Sequence, residues 1–334
     1  MVVEAPAAVA PAVLPAWAHD VLVCPGCRAP LVHAAGRFHC PRCGEMGRWE
    51  GGIAHFAVAT NDPSIAWYES VGGARFHERV QIPYTMSALD TPIYHSFLER
   101  VRPESLDSVV VDLGAGDGRN TLPWLAWGYE RVTAVDAVAA SLARLRALLC
   151  AQHPQWLKRV LLVQADARHL PLASECAART IAIETLYYLN EDYALGLSEC
   201  RRSLDSDGLL LTAERAWEGA LLTHLLYGGV AAFCQLAGSR DVQDGEPGHL
   251  VRSRSFTESE VRAALAAAGF VVLESAGVPV FSVVLGYLRG QGKIGAGDEA
   301  RRVQVDQCLH ALVHQGTLRK AHVMIARPRA GEQR

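Results

Sequence analysis

Residues 109–120 read Val109-Val-Val-Asp112-Leu-Gly114-Ala-Gly116-Asp-Gly118-Arg-Asn120. A short β-branched run gives way to glycines at alternate positions, and a helical stretch follows through Leu125. Val109–Leu113 reads as a strand buried on both faces. Glycines directly after a strand let the backbone bend sharply and approach a ligand closely. Free N–H groups at the start of the next helix favour an anionic group such as a carboxylate. Taken alone, the loop also fits a tight turn with no ligand.

The chain around it alternates strand and helix. Arg131–Asp136 is a second strand, and Ala140–Cys150 is a helix with Leu142, Leu145, Leu148 and Leu149 at i, i+3, i+6 and i+7. Val160–Gln164 and Thr180–Glu184 are the third and fourth strands, Tyr193–Leu204 is a helix, and Gly208 turns into the strand Leu209–Thr212. Thr257 and Glu260 form a capping-box pattern for a helix that ends at Gly269. Val271–Glu274 and His322–Ala326 supply the last strands. This order predicts an α/β fold with a doubly wound, seven-stranded, mostly parallel sheet.

In such a sheet the ligand crevice lies outside the carboxyl ends of the strands. Asp136 ends the second strand, where a carboxylate can accept from both hydroxyls of a ribose. Asp166 follows the third, where it can accept from an exocyclic adenine amine. Glycine loop, Asp136 and Asp166 thus stand at three successive strand ends. The sequence here resembles the class I S-adenosylmethionine-dependent methyltransferases. Asp112–Gly118 looks like their first motif, Asp136 like their ribose-binding acid, and Asp166-Ala167 like their adenine-side pair. Thr180–Leu189 looks like their fourth-strand motif, and Arg202–Gly208 is similar to their turn before strand five. The resemblance covers about residues 90–328. It implies S-adenosylmethionine as cofactor, held by Asp112, Gly114, Ala115, Gly116, Asp136, Ala137, Asp166, Ala167 and Glu184. A dinucleotide oxidoreductase is the competing reading, but its loop usually runs Gly-x-Gly-x-x-Gly, unlike glycines at 114, 116 and 118.

Cys24-Pro-Gly-Cys27 and Cys40-Pro-Arg-Cys43 form a C-x2-C-x12-C-x2-C pattern. Each pair sits on a tight turn that aims two thiolates at one ion, and four sulfurs close a tetrahedral Zn2+ shell with no open position. The ion is therefore expected to be structural, supplying folding free energy that so small a unit lacks. The wording around the cysteines resembles the small zinc-binding domain of tRNA-methyltransferase activator proteins, although Arg48-Trp49-Glu50-Gly51-Gly52-Ile53 replaces that family's usual Tyr-Pro before its Asp-Gly-Ile element.

The 334 residues are 50% hydrophobic, with 32 Lys+Arg against 35 Asp+Glu and a formal net charge of −3. That is ample for one large domain and a small accessory one, and it lacks the basic balance of a chain devoted to nucleic acid. Nine cysteines, four of them clustered, suit a reducing compartment with one metal site, and hence a cytoplasmic location. Met1–Trp17 is rich in Ala, Val and Pro without a cationic start, and no stretch has the roughly 18 uninterrupted apolar residues of a membrane span. The expected organisation is a disordered lead-in (1–19), a zinc-binding domain (20–58), N-terminal cap helices (59–105) and a methyltransferase domain (106–330). An inserted lid is expected at about 216–254.

The acceptor is less legible. Glu184, Tyr187 and Tyr188 follow strand four, near the expected methyl position. His224 and His249 lie in the insertion and are candidate bases. Glu184, Tyr188 and His249 are the catalytic candidates. The expected partner is a small-molecule acceptor. RNA gripped by the zinc unit, through Arg28, Arg37, Arg42 and Arg48, is the alternative, and a donor-binding protein without transfer is a third.

Overall fold

The computed structural model describes residues 13–58, 62–70, 82, 84–246, 249–294, 298, 301–313 and 318–329, with the side chains of 241, 244–246, 249 and 250 outside the description. The quoted strand, β5 (Val109–Leu113), lies inside the sheet with all five residues buried. It pairs in parallel with β6 (Arg131–Asp136) on one side and β8 (Ala177–Ile183) on the other. Beyond β6 comes β7 (Val160–Gln164). Beyond β8 come β9 (Leu204–Arg215), β13 (Arg319–Pro328) and β12 (Phe270–Pro279), with β13 antiparallel to both of its neighbours. These are the seven expected strands, and their order reverses beside β5, which opens a crevice at the carboxyl ends of β5 and β8.

Four more strands extend the sheet to eleven. The cysteine unit contributes β1 (Val32–Ala34), β2 (Arg37–Cys40), β3 (Gly44–Glu50) and β4 (Ile53–Phe56), and β4 pairs in parallel with β7 through Ala54↔Val163 and His55↔Gln164. Phe38 and Phe56 stack at 5.3 Å and share one core with Leu172 and Ala177. The unit therefore prolongs the main sheet. The strand count rises from seven because an edge of a parallel sheet offers unpaired N–H and C=O groups that β4 satisfies. Packing also starts earlier than residue 19: Leu14 is buried in the same core, and the one-turn helix α1 (Ala18–Val21) follows.

Helices cover both faces. α2 (Pro63–Glu69) starts at Asp62, whose carboxylate accepts from the Ser64 N–H, with Pro63 at the first position. α3 (Met86–Arg100) is capped by Thr85 and buries Ile93, Tyr94, Phe97 and Leu98. α4 (Thr121–Ala126), α5 (Ala139–Gln152) and α6 (Tyr193–Ser203) link the parallel strands. The insertion after β9 is α7 (Trp217–Ser239) followed by the hairpin β10 (Asp241–Glu246) and β11 (His249–Arg254). By length and composition α7 is the one helix among the described residues able to cross a membrane. Here it buries Gly219, Ala220 and Leu236 against the fold and kinks at Gly229. α8 (Glu258–Ala267) carries the capping box expected at Thr257 and Glu260, and α9 (Phe281–Gly290) and α10 (Arg302–Leu312) complete the chain.

Candidate active site

A cavity of about 750 Å³ opens at the carboxyl ends of β5, β6, β7, β8 and β9. Its first half is built by the glycine loop. The N–H groups of Gly114 and Ala115 both donate to the Val135 carbonyl, at 2.8 and 3.0 Å, which draws the loop over the end of β6. Gly114 has φ +77°, and a Cβ there would lie 2.0 Å from Thr185 Oγ1. Gly116 has φ +52°, and a Cβ there would have no atom within 4 Å, since it faces the cavity. One glycine is thus required by packing and the other leaves room for a ligand.

Asp136 braces the loop. Its two oxygens accept from Gly116 N–H at 2.7 Å and Val138 N–H at 2.8 Å. Burial pushes it up to about 6, against those two bonds. Each oxygen keeps a lone pair for a ligand hydroxyl. Asp112 is different. It lies below the loop, does not line the cavity, and accepts from Thr121 Oγ1 at 2.6 Å, while burial pushes it up to about 7. Its role is to tie β5 to α4, beneath the ligand space.

Gly114, Ala115, Gly116, Asp136, Ala137, Asp166, Ala167 and Glu184 all line the cavity. Asp166 does so with its carboxylate already forked by Arg168, with Nη2 at 2.6 Å, and Arg168 reaches on to Asp192 at 2.8 Å. Burial alone would raise Asp166, but Arg168 holds it below the usual range. Arg168 escapes a sequence reading because its fork depends on the turn that follows β7.

The second half of the cavity is lined from α2, α3, β9 and α7 by Tyr68, Met86, Thr91, Arg215, Thr223 and His224, and by Lys320 from β13. Glu184 stands between the halves with φ +55°, in the left-handed region that a non-glycine residue rarely occupies. It pairs with Arg119 at 3.2 Å and Lys320 at 2.6 Å. Burial would raise its carboxyl, yet Lys320 and Arg119 together hold it well below the usual range. Glu184 is therefore an anionic anchor at neutral pH rather than a group that takes up a proton. Tyr188 bonds through its hydroxyl to that of Tyr68, at 2.9 Å, which pins α2 over the cavity. Tyr187 carries Arg215 above its ring at 4.8 Å. His224 Nδ1 faces the Ala220 carbonyl at 2.9 Å. The His249 side chain lies outside the described residues.

At the other end of the molecule, the four cysteines meet as expected. Their sulfurs all lie within 4.8 Å of one another, Cys27 and Cys40 being 3.4 Å apart, and the Arg42 N–H points at Cys40 Sγ from 3.4 Å. Four thiols at this spacing fit a tetrahedral ion with Zn–S bonds of about 2.3 Å.

The family described as methyltransferase domain matches residues 111–212, from within β5 to within β9. Residues 111–212 thus carry a methyltransferase domain. No curated protein matches the chain in sequence. Among solved structures, the CcbJ methyltransferase from Streptomyces caelestis is similar at 16% identity and a TM-score of 0.49, over 72% of this chain and 95% of that one. The Burkholderia thailandensis 1,6-didemethyltoxoflavin-N1-methyltransferase, bound to 1,6-didemethyltoxoflavin and S-adenosylhomocysteine, is similar at 20% identity and a TM-score of 0.48, over 90% of this chain and 100% of that one. A chain of the Haloferax volcanii complex between the Trm112 methyltransferase activator and a methyltransferase is similar at 17% identity and a TM-score of 0.49, over 81% and 100%. In the methyltransferase domain described here, the glycine loop, Asp136 and the Asp166 turn form one continuous wall of the cavity.

Proposed function

We propose that the protein transfers the methyl group of S-adenosylmethionine to a small molecule held in the second half of this cavity. The observation that carries the reading is the enclosure. One cavity runs from the glycine loop past Glu184 into a chamber covered by α2 and α7, and its volume falls within the ~300–1,000 Å³ of small-molecule sites. The donor fits the first half: Asp136 would take the ribose hydroxyls, the Asp166 turn the adenine, and the cationic Arg119 the methionine carboxylate. The bound donor supplies an electrophilic methyl group on a sulfonium. The chain's own part is to orient acceptor and donor in line and to exclude water, which Tyr68, Tyr188 and α7 do from above. Among the described residues, His224 brings an imidazole to the chamber.

The RNA reading loses ground to the ion pairs of the cysteine unit. Arg28 pairs with Glu199, Arg37 with Glu45 and Arg48 with Glu50. Three of the four arginines that would grip phosphate are thus neutralised within the chain. Calorimetry of the full chain with S-adenosylhomocysteine, followed by S-adenosylhomocysteine release assays on small-molecule and RNA panels, tests the proposal. Methylation of RNA alone would overturn it.

The same reading assigns Cys24, Cys27, Cys40 and Cys43 to one structural Zn2+, in a reducing, cytoplasmic setting that keeps the thiols free. Elemental analysis should give about one zinc per chain, and Cys40→Ser should lose it.

A further inference from the structure

The second half of the cavity holds a buried charge cluster that donor binding does not use up. Lys320, at the start of β13, donates to Asp90 Oδ2 of α3 at 2.5 Å and to Glu184 Oε1 at 2.6 Å. The side chains of Lys320, Glu184 and Asp90 are only 19%, 18% and 0% exposed. A lysine ammonium has three N–H donors, so one remains after Asp90 and Glu184, and Lys320 lines the cavity. Its backbone is fixed from outside: a Cβ on Gly219 of α7 would come within 2.6 Å of the Lys320 Cα.

Among the described residues, Asp90 and Glu184 are the acids that bond to Lys320. Glu184 is shared between Lys320 and Arg119, whose guanidinium also lies 5.2 Å above the ring of Tyr94. Asp90 is fully buried, and burial raises its carboxyl while Lys320 pulls the other way. From β9, Arg215 adds a further cation as the cross-strand neighbour of Ala321. Arg119, Arg215 and His224 line the same cavity. Asp90 Oδ1 and Tyr94 Oη are buried and have no hydrogen-bond partner among the described residues. Such a cluster is costly unless another group completes it. The left-handed backbone of Glu184 is strained, and structures tend to retain such strain at ligand sites.

We propose that Lys320 binds the acceptor, its third N–H directed at an oxygen anion, and that the acceptors are small molecules with an acidic hydroxyl, a phenol or enol, methylated on that oxygen. This deepens the small-molecule reading above and rests on it. The hydroxyl loses its proton to solvent as it binds beside the ammonium. In the transfer the O–CH3 bond forms while the donor's C–S bond breaks, its electron pair staying on sulfur, and no further proton moves. A cation within about 4–6 Å lowers an acid's pKa by about 1–3 units, so Lys320 would make such an acceptor nucleophilic near neutral pH.

The test uses 4-nitrophenol, whose anion absorbs in the visible, with the full chain saturated by S-adenosylhomocysteine. Bound 4-nitrophenol should titrate at least about one unit lower than free, which is about tenfold tighter binding of the anion than of the phenol. Lys320→Met should abolish that preference, and Lys320→Arg should restore most of it while S-adenosylhomocysteine affinity stays measurable in both. An unmoved midpoint in the wild type, or equal phenolate binding by Lys320→Met, overturns the inference. If Lys320→Met fails to fold, the wild-type midpoint and the Lys320→Arg variant decide it. Loss of S-adenosylhomocysteine binding by the wild type would instead sink the methyltransferase reading itself.

Discussion

At one end of the cavity, a single stretch from Gly114 to Gly116, with Asp136 beside it, supplies the wall through backbone N–H groups and carboxylates. At the other end, Lys320, Glu184, Arg215 and Thr223 come from separate elements and present mainly side-chain charge. The first end suits a ligand portion that every such domain must hold in the same way. The second is assembled from positions that can change one at a time without disturbing the loop. Under the proposed function, the donor end is a backbone device and specificity is assigned to the acceptor end.

Breaking the loop should have the largest effect. Gly114→Val places a side chain 2.0 Å from Thr185 Oγ1 at φ +77°, so the loop must shift. S-adenosylhomocysteine affinity should fall by at least about 100-fold, roughly 2.7 kcal/mol, and the melting temperature should drop with it. Gly116→Ala separates the two costs. Its Cβ meets nothing, so folding should lose only about 1–2 kcal/mol from the left-handed backbone, while the methyl group intrudes on the ligand space. Equal donor affinity in Gly116→Ala and wild type, by calorimetry, would show that the loop does not touch the donor.

Asp136→Asn sharpens the same contrast. Removing the charge should weaken S-adenosylhomocysteine binding about 10–100-fold, since hydrogen bonds to a charged group contribute about 1.5–3 kcal/mol. The wild type should also bind less well as the pH falls below about 6, where Asp136 takes up a proton and stops accepting two hydroxyls at once. The Asn variant should show a flatter profile there. Lys320 substitutions should leave this low-pH limb in place, because they act at the other end.

The difference between the two ends also explains what could be read in advance. The loop, Asp136, Asp166 and the four cysteines are local patterns, each set by a few neighbouring residues and the end of one strand. Lys320 and Asp90 are 230 positions apart, and each is an ordinary charged residue until β13 threads back beside β9 and α3 packs behind it. Arg119 sits inside the stretch that decides the fold, yet its bond to Glu184 needs β8 to lie beside β5. The doubly wound, mostly parallel sheet with its seven core strands followed from the strand–helix alternation. The fusion of the cysteine unit onto β7 did not, because it depends on two pairings, at Ala54 and His55, that no hydrophobic pattern marks.

Buried acids make a smaller and opposite prediction for stability. Burial raises Asp112 and Glu214 to about 7 in the folded chain. Their ordinary values lie near 4, so the native state holds more protons than the unfolded state between about pH 4 and 7. This contribution to stability is full below about pH 4 and is lost as the pH rises to 7. The ligand-free protein should therefore melt lower at pH 8 than at pH 5.5, and Asp112→Asn should flatten that slope by about 1–2 kcal/mol, after allowance for relaxation around the site. A slope unchanged by Asp112→Asn, in melts across that range, would mean that the acid is charged in the folded state throughout.

The smallest effect is expected where the two ends meet under α2. The Tyr68 hydroxyl bonds to that of Tyr188, and the two rings meet edge-on at 6.0 Å. Tyr68→Phe keeps the ring and the packing with Trp67, whose ring centroid is 4.7 Å away, and deletes the hydroxyl. A neutral hydrogen bond contributes about 0.5–1.5 kcal/mol, so the covered state should be weakened by about 2–10-fold. Because α2 covers a ligand already seated against the loop, that loss should appear as faster S-adenosylhomocysteine release in stopped-flow, with the association rate little changed. A slower association with unchanged release would place Tyr68 at the entrance to the cavity rather than over the bound donor. The acceptor end would then be the side that stays covered.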